Sequence, residues 1–148
     1  MRDPRYDILF EPVKIGPVTA RNRFYQVPHC NGMGRTYPSS LAEMRRTKAE
    51  GGGAVVCTEE SVILPSAELS PWAGCRRWDE RDVPYHARMC DGIHEFGSLA
   101  GAELNYGGLM TASRFSRDIP LAPSHHPVAS NDPVQARAMD KEDIKSLR

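Results

Sequence analysis

The sequence predicts an α/β fold built on a parallel sheet and preceded by a β-hairpin. Two observations carry this. Short β-prone runs alternate with amphipathic helical segments, a pattern that builds parallel strands with right-handed crossovers. The polar residues of three successive strands also gather at the same ends: His29-Cys30, Glu59-Glu60, and Glu103 with Asn105. In parallel α/β folds ligands sit off the carboxyl ends of the strands.

The hairpin is "FEPVKIGPVTARNRF", two β-prone runs around Gly16-Pro17. The first central strand covers residues 24–27 and leads into the loop "VPHCNGMG". A helix follows in "SLAEMRRTKAEGGG". Ser40 and Glu43 have capping-box spacing, and Gly51 stands at the C-terminal end. "AVVCTEE" is a continuous apolar run of the kind buried on both faces. The polar stretch over residues 61–82 exceeds the usual connection, which favours a functional loop.

The second helix spans residues 83–96, with Val83, Ala87, Cys90, Ile93 and Phe96 at helical spacing and Gly97 at its end. Gly92 inside it costs about 1 kcal/mol relative to alanine. The third strand is "LAGAEL". A loop rich in Pro, Ser and Gly follows, then a final helix in "MDKEDIKSLR" with Asp140 as its cap.

The chain has 148 residues, 40% of them hydrophobic, enough for one core. Nineteen basic residues balance nineteen acidic ones and form no basic stripe, which argues against nucleic-acid binding. No apolar run is long enough to span a membrane, and "MRDPRYDILF" lacks a signal core, so a cytoplasmic protein is expected. Cys30, Cys57, Cys75 and Cys90 include no C-x-x-C pair, so no metal site and no disulfides are expected. Neither a G-x-G-x-x-G nor a Walker-type phosphate loop is present.

The elements "LFEPVKIG", "RNRFYQVPHC", "KAEGG", "TEES", "WDERDV", "HEFGSLAGAEL", "YGG" and "AMDKEDI" run in order over nearly the whole chain. In these the sequence resembles the old-yellow-enzyme superfamily of FMN-dependent (β/α)8 TIM barrels, and most closely its amine-dehydrogenase branch. The resemblance implies that residues 1–148 are the N-terminal portion of an FMN-binding barrel domain, about three of eight strands. It also implies an intact protein that oxidises the C–N bond of a small alkylamine to an imine. An iron–sulfur cluster is expected only beyond this chain, with an external electron-transfer protein as partner and a homo-oligomer when intact.

Carried onto this sequence, the resemblance makes Cys30 the thioether tether to the flavin. As an open-loop thiol beside His29, it is expected to ionise more readily than a buried one. Val27 and Pro28 match backbone that faces the flavin ring, with His29 as a tuning neighbour. Glu103 matches the position that meets the flavin N3–H, and Glu59 and Glu60 match a strand end whose backbone approaches the flavin. Trimethylamine-oxidising members place aromatic residues where this chain has Glu60 and Asn105. A tertiary methylammonium is held best by aromatic faces, whereas primary and secondary ammonium groups donate to carboxylates and amides. Glu60 and Asn105 are therefore expected to line the substrate pocket, with trimethylamine disfavoured.

Trp78 is expected to pack at the base of the second helix, and His125-His126 to face solvent. Trp72 and Tyr106 are further aromatic candidates for the site. Two alternatives stand beside this reading: an NAD(P)H-dependent ene-reductase of the same superfamily, and a catalytically silent fragment.

Overall fold

The computed structural model describes residues 3–68, 74–130 and 132–147; Trp72 lies outside them. Asp3 caps a 3-10 turn over Pro4–Phe10, its carboxylate accepting from Arg5 N–H at 3.0 Å. The expected hairpin follows: β1 (Val13–Ile15) pairs antiparallel with β2 (Val18–Ala20). Gly16 makes the turn at φ +56°, a conformation that favours glycine.

Four parallel strands form the central sheet, three of them the expected ones. β3 (Tyr25–Gln26) pairs with β4 (Val55–Val62), and β4 pairs along its length with β6 (Leu99–Asn105). Two helices make the crossovers, α2 (Pro38–Glu50) between β3 and β4 and α3 (Val83–His94) between β4 and β6. β3, β4 and β6 lie side by side in chain order, as successive strands of a barrel do, and the sheet is not closed.

β4 is buried on both faces because alternate residues meet different layers. Val56 enters a core with Leu41, Ala42 and Ala49 of α2 and Met89 and Ile93 of α3. Val55 and Cys57 pack on the opposite face with Ala20 and Ala54, against Val13 of the hairpin. The hairpin thus covers the inner face of the sheet at its amino end, and the helices cover the outer face.

Several boundaries depart from expectation. The Ser40–Glu43 capping box does not form. Pro38 starts α2 three residues earlier than a Ser40 cap would, where its fixed φ and missing N–H suit the first helical position, and Tyr37 precedes it without a side-chain cap. Glu43 instead pairs with Arg46 at 3.4 Å. Gly51 does end α2, but the left-handed residue is Gly52, at φ +105°.

The inward face of α3 is partly the predicted one and partly turned from it: Ile93 is buried and Phe96 packs against the same core, but Val83 and Ala87 are exposed and Met89 is buried. Polar contacts set the rotation. Asp82 grips the Arg76 guanidinium at 2.8–3.0 Å, and a His86 ring nitrogen bonds the Arg76 carbonyl at 2.8 Å. Trp78, just before α3, lies under the Arg76 guanidinium, 5.6 Å from the ring centre.

Five elements had no sequence signal. The glycine loop contains one helical turn, α1 (Met33–Thr36), and the excursion over residues 61–82 contains β5 (Cys75–Arg76), paired with Ser61 and Val62 of β4. The loop after β6 holds a small sheet of β7 (Leu121–Ala122), β8 (His126–Pro127) and β9 (Gln135–Ala138), closed around Ala122, Val128 and Ala136. The last helix, α4 (Lys141–Ser146), has the expected Asp140 cap, completed by Asp143. All four thiols are free, and among the described residues no helix is long and apolar enough to cross a membrane.

Candidate functional site

The site is organised by a register shift in β4. Cys57 stands opposite Gly101 and Glu60 opposite Glu103, so three steps on β4 match two on β6. Such a bulge reverses which face the following side chains occupy. It places Glu60 on the inner face that Cys57 shares and turns Glu59 toward the loop over residues 31–34. The Thr58 hydroxyl takes up the Glu103 N–H at 3.4 Å. Opposite Cys57 only glycine fits: a Cβ on Gly101 would lie 2.5 Å from Cys57 Sγ.

Glu59 is wholly buried, and its carboxylate is committed to the loop. Oε1 accepts from the N–H groups of Asn31 at 2.9 Å and Met33 at 3.2 Å; Oε2 accepts from that of Gly34 at 3.0 Å. A buried carboxylate is tolerated when several donors satisfy it in this way. Gly34 is pressed so close that an added Cβ would sit 2.6 Å from both Glu59 Oε2 and Cys75 Sγ. The Glu59 side chain therefore shapes the loop, whatever its backbone approaches.

Arg45 of α2 holds the other end of the loop. It is as buried as Glu59, and its Nη2 donates to the His29 carbonyl at 2.6 Å. Between these two anchors lies Cys30, exposed, with its sulfur accepting the Glu60 N–H at 3.3 Å. Partial burial pushes the Cys30 thiol up, with smaller contributions from the negative charges of Glu60, Glu59 and Glu103; the Glu60 N–H opposes them. Burial is the main cause of this rise; the buried Cys75, for comparison, is pushed up to about 11.

Glu60, Glu103 and Asn105 form an acceptor-rich group beside Cys30. Asn105 Nδ2 donates to Glu60 Oε2 at 3.4 Å, while Asn105 Oδ1 is buried and has no hydrogen-bond partner among the described residues. The Glu60 carboxyl is raised by burial first, then by Glu103 and Glu59. Glu103, its opposite number on β6, is exposed.

The structure brings the predicted residues to one end of the sheet. Val27, His29 and Cys30 are exposed there, and Pro28 is half-buried. Tyr106 lies at 3.2 Å from the Ser66 hydroxyl, tying the loops after β4 and β6 together. His125 and His126 are exposed, as expected. Arg45 was not anticipated as part of this group. Its signal was present: it interrupts the apolar stripe Leu41, Ala42, Ala49 on the buried face of α2.

A parallel sheet with its acceptors, thiol and longest loops at one rim is the layout of a barrel oxidoreductase. Residues 8–148 match the NADH:flavin oxidoreductase / NADH oxidase family, and the chain belongs to it. Dimethylamine dehydrogenase of Hyphomicrobium sp. (strain x) is 47% identical over 125 residues, covering 84% of this chain and 17% of that protein. Histamine dehydrogenase from Rhizobium sp. 4-9 superposes with a TM-score of 0.93 at 50% identity, over 97% of this chain and 21% of that one. The 6-hydroxypseudooxynicotine amine oxidase from Pseudomonas geniculata N1 gives 0.94 at 41% identity, over 99% and 22%. The chain therefore spans about a fifth of the length of these relatives. Its parallel strands correspond to the N-terminal portion of their TIM barrel.

Proposed function

We propose that residues 1–148 are the N-terminal portion of an FMN-binding barrel domain, and that the intact protein oxidises the C–N bond of a small primary or secondary alkylamine. The residues present fit the flavin. Val27 and Pro28 offer an apolar wall at the rim, and Glu103 offers an acceptor for the ring N3–H. Cys30 presents an exposed sulfur for covalent attachment. The flavin supplies the acceptor for the two electrons of the C–N bond. In this reading an iron–sulfur cluster and the contact for an electron-transfer protein lie outside these residues, and the intact enzyme is a cytoplasmic homo-oligomer.

The observation that carries the substrate class is the acceptor group on the inner face. Glu60 stands beside Asn105, whose Nδ2 donates to Glu60 Oε2 at 3.4 Å, and the buried Asn105 Oδ1 has no donor among the described residues. A substrate ammonium with two or more N–H groups supplies the missing donor and neutralises the Glu60 carboxylate. A fully methylated amine, with a single N–H when protonated, satisfies fewer of these acceptors and finds no aromatic face at positions 60 and 105. Relatives that act on dimethylamine and histamine support the same class.

The test is steady-state turnover by the intact protein with an artificial electron acceptor, comparing mono-, di- and trimethylamine and a diamine. Turnover greatest with amines carrying more N–H groups is expected. A preference for trimethylamine contradicts the polar-pocket reading. Reduction of activated alkenes by NAD(P)H without any amine oxidation contradicts the amine reading altogether.

A further inference from the structure

Two wholly buried, oppositely charged side chains flank the Cys30 loop, and neither reaches the open face of the site. Arg45 holds the His29 carbonyl on one side of Cys30, and Glu59 holds the N–H groups of Asn31, Met33 and Gly34 on the other. They come from different elements, α2 and β4. Arg45 is costly to bury: its Nε has no partner among the described residues, and burial lowers its proton affinity while the Glu59 charge supports it. A helix that needed only packing at this position would carry an apolar residue, as its neighbours on the stripe do.

We propose that Arg45 is a positioning residue for Cys30. Together with Glu59 it fixes the loop over residues 29–34 so that the sulfur stays against the Glu60 N–H and faces the inner side of the sheet. The idea rests on the reading of Cys30 as the flavin tether, but its physical content is the placement of a sulfur atom and is measurable without flavin. Covalent attachment would replace the thiol S–H and the flavin C6–H by one C–S bond, with two electrons and two protons passing to an external oxidant such as dioxygen; it needs the sulfur at one fixed point, since a misplacement of about 1 Å can slow a reaction about a hundredfold. A small alkylating reagent needs only access. Releasing the loop should therefore move the two reactivities in opposite directions.

The experiment uses the intact protein as wild type, Arg45→Met and Arg45→Lys. Peptide mapping follows iodoacetamide labelling of Cys30 in flavin-free protein, and flavin-loaded protein is assayed for total and covalently bound flavin. In Arg45→Met, Cys30 labelling should rise about tenfold, the scale of one lost hydrogen bond to a charged donor. The covalent fraction should fall while total bound flavin stays near the wild-type level. Arg45→Lys, which keeps the charge, should fall between the two. Cys57 and Cys75, both buried, report unfolding; if they label in Arg45→Met, Arg45→Lys decides the matter on the same criteria.

Labelling and covalent fraction that are unchanged, or that move in the same direction, overturn the proposal. A wild-type protein with no covalent flavin defeats the tether reading instead. The labelling comparison then decides the placement role of Arg45 by itself: unchanged labelling refutes it, and faster labelling in both variants upholds it.

Discussion

Replacing Glu59 with glutamine removes one oxygen acceptor from the floor of the site without changing its size. The amide oxygen can still serve Asn31 and Met33, but the amide nitrogen then meets the Gly34 N–H, donor against donor, where Oε2 now accepts at 3.0 Å. A hydrogen bond to a charged acceptor contributes about 1.5–3 kcal/mol, and the two retained bonds lose their charge assistance. Local opening of the loop should therefore become easier by about 2 kcal/mol, or about thirtyfold in amide exchange if exchange follows local opening. Hydrogen–deuterium exchange on peptides spanning residues 29–36 measures this directly, with an α2 peptide as internal reference. Arg45 also loses its supporting charge, so residues at the start of the loop should share the effect. Exchange that is unchanged throughout residues 31–34 would refute the view that Glu59 holds this loop.

Gly101→Ala should destabilise the barrel portion by about 1–3 kcal/mol, because its Cβ meets Cys57 Sγ at 2.5 Å. Thermal unfolding should show the loss, and Cys57→Ala in the same background should recover part of it. Glu60 holds its proton to a higher pH than an ordinary carboxyl, and its ionised form is the one that accepts from an ammonium. Amine kcat/KM should therefore fall as pH drops through a value above the usual ~4.3, and Glu60→Gln should flatten that acid limb. Glu60→Tyr should shift the kcat/KM ratio toward trimethylamine by a factor corresponding to ~0.5–2 kcal/mol of cation–π attraction; an unchanged ratio across the amine series counts against Glu60 as a substrate contact.

The architecture was legible because local chemistry and global fold agree along most of the chain. The apolar run ending in Glu59-Glu60, the glycines after α2 and α3, and the Asp140 cap each point to an element that the structure contains. What was not legible depends on contacts distant in sequence. Glu59 and Glu60 are equivalent as letters, and only the register against β6 makes one a buried anchor and the other an inner-face carboxylate. The two residues of β5 have no strand signal of their own and exist because Ser61 and Val62 pair with them. The rotation of α3 is set by Asp82 and His86 reaching Arg76, whereas an apolar count favours a neighbouring face. The rise of the Cys30 thiol escapes a sequence reading for the same reason: its main cause is partial burial in the folded loop, and the charges of Glu60 and Glu103 that add to it come from other strands.

Whether this strand-end site holds a flavin through Cys30 is tested most directly by acid precipitation of the intact protein, followed by mass analysis of its Cys30 peptide. The expected outcome is a pellet that stays yellow and a Cys30 peptide heavier by one flavin mononucleotide less two hydrogens, with neither in Cys30→Ala. Colour released entirely into the supernatant, or flavin found on another residue, contradicts the tether.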